Sequence, residues 1–341
     1  MQHYEGPRRS RALGRLRVGR PAGRTAAALA LLAPWLAWAV VRTFGLEGHL
    51  GARVVPAMTF TPYVAATSVV PLLAALVLRR WLVAVAALAV VVAFALAVLP
   101  RAFAGPRPNI TGGVRVTVMT SNMFEGRGDA RTIVDLVRRH RVDVLAVEEL
   151  TPEAVRRLDA AGLRRLLPHR DVDARPGPSG TGLFSRPALR PRPPADALHQ
   201  NAQPRGVVQL PGAPALDVQA VHPPPPLFGW KAIWEGSLNA LPRPDRSAAT
   251  LRIHIGDYTA TLDHARLRAL LGDGGYVDAA DATGEGFRTT WPAGRHFPPE
   301  IAIDHVLVDP RIAPRDVIVT AVPGSDHRAV IADLELPRTG S

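Results

Sequence analysis

Three stretches carry no charged residue at all: Thr25–Val41, Val54–Leu78 and Trp81–Pro100, with 17, 25 and 20 residues. A bilayer core ~30 Å thick takes about 20 predominantly apolar residues per helix, so the N-terminal part of this chain is constrained to helices built for lipid. A cleavable signal peptide would account for the first stretch but not for the other two. Pro56, Pro62 and Pro71 predict kinks in the second, which lipid-embedded helices tolerate better than soluble ones.

Arginine placement predicts the orientation. Seven arginines from Arg8 to Arg24 precede the first stretch, and Arg79 and Arg80 lie between the second and third, whereas the intervening loop offers only Arg42 and Arg53. The positive-inside rule puts residues 1–24, a basic tail suited to anionic lipid, in the cytoplasm. After three crossings, at about 25–41, 54–78 and 81–100, everything from Arg101 onward lies outside the cell. Three spans without an intramembrane charge offer no transport pathway.

The formal net charge of +12 invites a nucleic-acid reading until it is located. Residues 1–107 hold 13 of the 41 basic residues and only two acids, Glu5 and Glu47, leaving 28 basic and 27 acidic residues beyond them. That remainder is near neutral, which does not support a duplex-binding surface. Cysteine is absent, so disulfides, thiolate metal sites and a cysteine nucleophile are excluded.

Arg101–Gly113, with Pro106, Pro108, Gly112 and Gly113, reads as a linker. From Val114 the pattern alternates between strands and helices. Val114–Met119 predicts a strand, Asp129–Arg141 a helix with Ile133, Leu136 and Val137 on one face, and Val142–Val147 a buried strand. Further strands are expected at Val207–Leu210, Ala215–Val221, Leu251–Ile255, His305–Val308, Val317–Val322 and Ala329–Leu336. Several end on residues able to bind metal or phosphate: Asn122, Glu149, His222, Asp257, Asp304-His305 and Asp326-His327. Strand ends are where α/β folds build sites. Each residue alone reads as a turn former or surface group, and Glu148-Glu149 as a solvated helix start; their order makes them a set.

SNMFEGRGDARTIVDLVRRHRVDVLAVEEL, GTGLFSR, LDVQAVHPPPP, IGDYTATLDH, IDHVLV and GSDHRAVIADL, in that order, resemble the endonuclease/exonuclease/phosphatase superfamily across residues 114–337. The resemblance implies an α/β fold, a four-layer sandwich of two packed mixed β-sheets flanked by helices, set behind the transmembrane helices. It implies a metal-dependent hydrolase of phosphate esters, with a lipid-derived, small-molecule or nucleic-acid substrate and Mg²⁺ or Mn²⁺ held by Glu149, Asn122 and Asp326. Asp257 would orient or deprotonate the attacking water, His327 would sit at the scissile phosphate oriented by Asp304, and His222 would contact phosphate or act as an acid. His305 reads as structural. The family carries Asn two residues after the catalytic Asp, where this chain has Thr259, which loses two amide donors. That departure leaves open a retuned enzyme, or a weakened one acting as a tethered binding module; an extracellular nuclease is a third reading. Phe228, Trp230 and Trp234 read either as core or as a substrate-binding, membrane-facing lip. Nothing in the sequence calls for an obligate protein partner.

Overall fold

The computed structural model describes residues 21–195, 200–227, 229–272, 275–295 and 299–339. Most of the basic tail and Phe228 therefore lie outside the described residues. Three apolar segments are long and apolar enough to cross a membrane. The first is α1 (Pro21–Phe44). The second is broken, as its prolines demand, into α2 (Val54–Ala57), a 3₁₀ turn over Met58–Phe60, α3 (Thr61–Thr67) with Pro62 at its start, and α4 (Val69–Val77). The third is α5 (Trp81–Val98). Small residues line their shared seam: Ala28 and Ala39 of α1, Ala75 of α4, and Ala84 and Ala87 of α5, which lets the backbones approach closely. Leu73, Val77, Leu82, Val85, Leu88 and Leu96 face outward, an apolar surface that water does not favour.

The strands are β1 (Val114–Asn122), β2 (Val144–Glu148), β3 (His169–Asp173), β4 (Thr181–Ser185), β5 (Leu189–Arg192) and β6 (Arg205–Val208). They continue as β7 (Leu216–Val221), β8 (Leu251–Asp257), β9 (Val277–Asp278), β10 (Asp304–Val308), β11 (Ala313–Ala321) and β12 (Arg328–Leu336). Two six-stranded mixed sheets result, ordered β11-β12-β1-β2-β4-β3 and β5-β6-β7-β8-β10-β9. In each sheet the two central strands, β1 with β2 and β7 with β8, are parallel, and their other neighbours are antiparallel.

Period-two alternation makes the layers. Val116, Val118, Val144 and Ala146 face Val218, Ala220, Ile253, Ile255 and Val306 across the inter-sheet core. On the outer face of the first sheet, Met119, Leu145 and Val147 pack under α6 (Ala130–Arg139) and α7 (Pro152–Ala161) through Ile133, Val137 and Leu158. Asp129 caps α6 through Thr132 N–H at 2.7 Å, and Arg141, at φ 52°, lies just past its end. On the outer face of the second sheet, Val221, Tyr258 and Leu307 pack with Trp234 and Leu238 of α9 (Lys231–Ala240) and Leu267 and Leu270 of α10 (Ala265–Leu271), the short α8 (Leu163–Leu166) lying earlier beside α7. This is the expected four-layer sandwich.

The strands β3, β4, β5 and β9 lie beyond the sequence expectation. β3 is a charged edge, β9 has two residues, and β5 carries Pro191, which only an edge strand accommodates.

The sandwich is docked on the ends of the apolar helices. Asp263, fully buried, takes Arg42 Nε at 2.8 Å and Arg101 through Nη2 at 2.6 Å and Nη1 at 2.9 Å. The expected linker is held as well: Gly105 N–H donates to Ala282 O at 3.0 Å and Gly286 N–H to Arg101 O at 3.1 Å.

Candidate active site

The parallel pairs β1/β2 and β7/β8 bring four carboxyl ends to one edge of the sandwich, and β10 and β12 begin there. The sequence-marked residues consequently meet. Asp257 ends β8 directly opposite Asp304 in register. Gly256, at φ 148°, lets β8 lie close against its other neighbour, β7, since a Cβ there would lie 2.1 Å from the Val221 carbonyl oxygen.

Asn122 joins the two sheets. Its Nδ2 donates to Glu149 Oε1 at 3.1 Å and to Asp257 Oδ2 at 3.2 Å, while its Oδ1 accepts Phe124 N–H at 2.9 Å. The amide nitrogen thus faces both carboxylates, and Asn122 works here by placing them. Glu149 takes φ 52°, which turns its side chain off the β2 alternation towards the site, where Oε2 accepts Glu125 N–H at 2.6 Å. Glu148, the preceding residue, is not solvated: it is fully buried between the sheets, with Oε1 accepting from Thr120 Oγ1 at 2.8 Å.

His327 and Asp304 form a buried dyad. Nδ1 lies 2.9 Å from Asp304 Oδ2, and Nε2 faces Asp257 Oδ2 at 3.8 Å. Ser325 sets the loop, donating from Oγ to Asn122 O at 2.7 Å and accepting His327 N–H at 3.0 Å. Thr290 Oγ1 accepts Asp304 N–H at 3.2 Å. Asp326 accepts Trp291 Nε1–H on Oδ2 at 3.2 Å, while its buried Oδ1 has no hydrogen-bond partner among the described residues. His222 is buried, with Nδ1 3.4 Å from Thr181 Oγ1. Glu149, His222, Asp257, Thr259 and His327 line one cavity of about 760 Å³.

The electrostatics separate the groups. Burial, reinforced by the Asp304 charge, pushes Asp257 up to about 7, and burial raises Glu149 as well. Burial also holds Glu148 well above the usual carboxylate range. Burial lowers the basicity of His327, but the Asp304 carboxylate outweighs it and lifts the imidazole to about 10. His222 goes the other way, to about 3, through burial and the neighbouring His327 charge, so it is neutral at physiological pH. A carboxylate near neutrality beside an imidazolium is an acid–base pair.

Carboxylates that crowd until their proton affinity rises, with an unpartnered carboxylate oxygen nearby, also suit a divalent cation. Asp257, Asp304 and His327 have ligand atoms within 4.8 Å of one another. Since His327 Nδ1 is already committed to Asp304, Glu149 and Asp326 are the better hard-oxygen donors.

His305 is structural, as expected: Nδ1 lies 2.8 Å from Asp278 Oδ2 and Nε2 2.9 Å from Ala260 O. Trp234 belongs to the core, whereas Trp230 is exposed and lines the cavity. Five contributors were not among the candidate site residues: Trp291, Ser325 and, from the second apolar segment, Pro56, Thr59 and Phe60. Only Ser325 had a signal, its place beside Asp326-His327.

Thr259 sits at φ 47°, where Asn is at home and a β-branched residue is strained. Its N–H donates to Asp257 Oδ1 at 2.7 Å, and its buried hydroxyl has no partner among the described residues. Thr259→Asn is therefore expected to stabilise the protein by on the order of 1 kcal/mol in chemical denaturation; a destabilised variant would show that the strain lies elsewhere.

The sequence matches the Endonuclease/Exonuclease/phosphatase family over residues 119–327, a range that leaves out the apolar helices. No curated protein matches it. Among solved structures, D. rerio TDP2 complexed with a single-strand DNA product superposes with a TM-score of 0.51 at 15% identity, covering 65% of this chain and 99% of that one. Truncated Caenorhabditis elegans TDP2 gives 0.52 at 13%, covering 67% and 100%. An AP endonuclease from Archaeoglobus fulgidus gives 0.50 at 14%, covering 64% and 98%. At such identities the likeness concerns the fold.

Proposed function

Because the chain belongs to the endonuclease/exonuclease/phosphatase family, whose members are metal-dependent phosphoesterases and nucleases, we propose that it is a membrane-anchored hydrolase of a phosphate ester. The observation that carries this reading is that Glu149, Asp257 and His327 line one cavity and are held there by Asn122 and Asp304, with proton affinities split between Asp257 and His327.

Bound Mg²⁺ or Mn²⁺, held by Glu149 and Asp326 beside Asn122, would supply charge neutralisation for the phosphoryl oxygens. The protein's own groups do the rest. Asp257 accepts a proton from water as its oxygen bonds to phosphorus. His327 donates from Nε2 to the leaving oxygen as the old P–O bond breaks. The proton gained by Asp257 balances the one given by His327, and 3.8 Å between them allows its return through one water. Asp304 fixes the imidazole and keeps it charged. Neutral His222 offers a hydrogen bond without charge, and Thr259 lines the same cavity.

Membrane anchoring is supported by the apolar helices, and a cytoplasmic N-terminus with an external catalytic domain by the arginine distribution. Full-length protein in nanodiscs is expected to hydrolyse a generic phosphodiester or phosphomonoester with Mg²⁺ or Mn²⁺, to stop in EDTA, and to lose at least about 10²-fold on Glu149→Ala. No turnover of any ester with either metal would overturn the proposal in favour of a tethered binding module.

A further inference from the structure

The cavity that holds the reacting groups extends well beyond them. Its far wall comes from the second apolar segment, through Pro56, Thr59 and Phe60, and is continued by Leu227, Trp230 and Ile301. This contact is built. Tyr63 Oη, on the turn after Phe60, donates to Glu300 O at 2.6 Å, and the same loop supplies Ile301, Ile303 and Asp304. The helix segment and the His327 dyad are thereby tied through one stretch of chain.

Charge narrows the occupant. Among the described lining residues the ionisable ones are Glu149, His222, Asp257 and His327; no Arg or Lys is present. A polynucleotide carries a phosphate at every step and needs cations along its track. This cavity offers ionisable groups for one phosphate, the uncharged polar residues Ser179, Gln200 and Asn201 along one side, and a wall that is otherwise apolar. Polar alcohol groups would lose hydration against such a wall, whereas hydrocarbon gains by leaving water. Residues 54–60 also stand at the domain-side end of the apolar segment, the level at which lipid phosphates lie if that segment spans a bilayer.

We infer that the substrate is a membrane lipid phosphoester, its phosphate at Asp257 and His327 and the first part of its apolar tail against Phe60, Leu227 and Trp230, so that the second apolar segment is a wall of the substrate site as well as an anchor. This rests on the hydrolase reading above. The test uses the full-length chain in nanodiscs with Mg²⁺ or Mn²⁺. Phosphatidylglycerol, phosphatidylethanolamine, phosphatidylcholine and hexadecyl phosphate are each assayed beside a tail-free counterpart, with a single-stranded oligonucleotide as a further arm. At least one lipid is expected to exceed its counterpart about 100-fold in kcat/KM, and Phe60→Ser to cut that ratio at least tenfold. Leu88→Ala, on the outward face of α5, should leave the ratio unchanged. Equal turnover of tail-free compounds, a ratio indifferent to Phe60→Ser, or preference for the oligonucleotide overturns the lipid assignment and leaves the hydrolase standing. Silence on every substrate takes both down.

Discussion

Asp257→Asn is expected to lower phosphoester turnover by about 10²- to 10⁴-fold, the range that general acid–base groups contribute, with the fold retained. Asn keeps the shape that accepts Thr259 N–H but cannot take a proton from water. His327→Ala should cost a similar factor. The pH profile separates these residues from merely structural ones. Asp257 must be ionised, so activity climbs as pH rises through about 7. His327 must stay protonated, so activity falls as pH rises through about 10. Because the Asp304 charge is what lifts His327, Asp304→Asn should draw the alkaline limb down towards or below the ordinary imidazole value of 6.5. An alkaline limb that stays in place in that variant would remove Asp304 from its role of holding the imidazole charged.

The order of polar residues at strand ends carried the site into view before any geometry did, because parallel neighbouring strands must deliver their carboxyl ends to one edge. Asn122, Glu149 and Asp257 were legible for that reason, whereas Asp304 and His327 stand where the antiparallel strands β10 and β12 begin at the same edge. Glu148 was not: as half of a charged dipeptide before Thr151-Pro152 it looks solvated, and only the β2 register shows that even-numbered residues there face the other sheet. Trp291 joins the site through a loop with no periodicity to betray it. Phe60 was hidden for a different cause. Composition marks the whole second segment as lipid-facing, and a residue within such a run that turns instead towards the cavity lined by Asp257 and His327 leaves no trace in hydropathy. Among the strands, those with alternating valines were predicted, whereas β3, β5 and β9 were missed because edge strands need little apolar signal to pair, and the inner strand β4 because Thr181, Gly182 and Ser185 leave it only a short apolar run.

The second large effect lies away from the chemistry, at Asp263. The stretch from Ile253 to His264 draws attention to Asp257, yet its later carboxylate is the one the fold depends on. Asp263 is fully buried with Arg42 from the end of α1 and Arg101 from just past α5, their side chains only 13% and 8% exposed. Burial alone would raise the Asp263 carboxyl, but hydrogen bonds and charge from Arg101 and Arg42 outweigh it and hold the carboxyl below its usual range. A depressed folded-state value means that this stability is present above the unfolded value of 3.8 and is lost only as pH falls below it, so the clamp is engaged at every physiological pH. Asp263→Ala removes the carboxylate that both buried guanidinium groups bond to, at a cost of about 3–5 kcal/mol. In a chain of this size that should lower the midpoint of thermal unfolding by roughly 10 °C and open the segment after Arg101 to proteolysis. If docking also sets the cavity wall, the variant should lose lipid turnover more than turnover of a tail-free ester, because Phe60 moves with the helices and Asp257 with the sandwich. An Asp263→Ala protein with unchanged melting and unchanged protease resistance would mean that the apolar seam and the Tyr63 to Glu300 contact hold the two parts together without the ion triad.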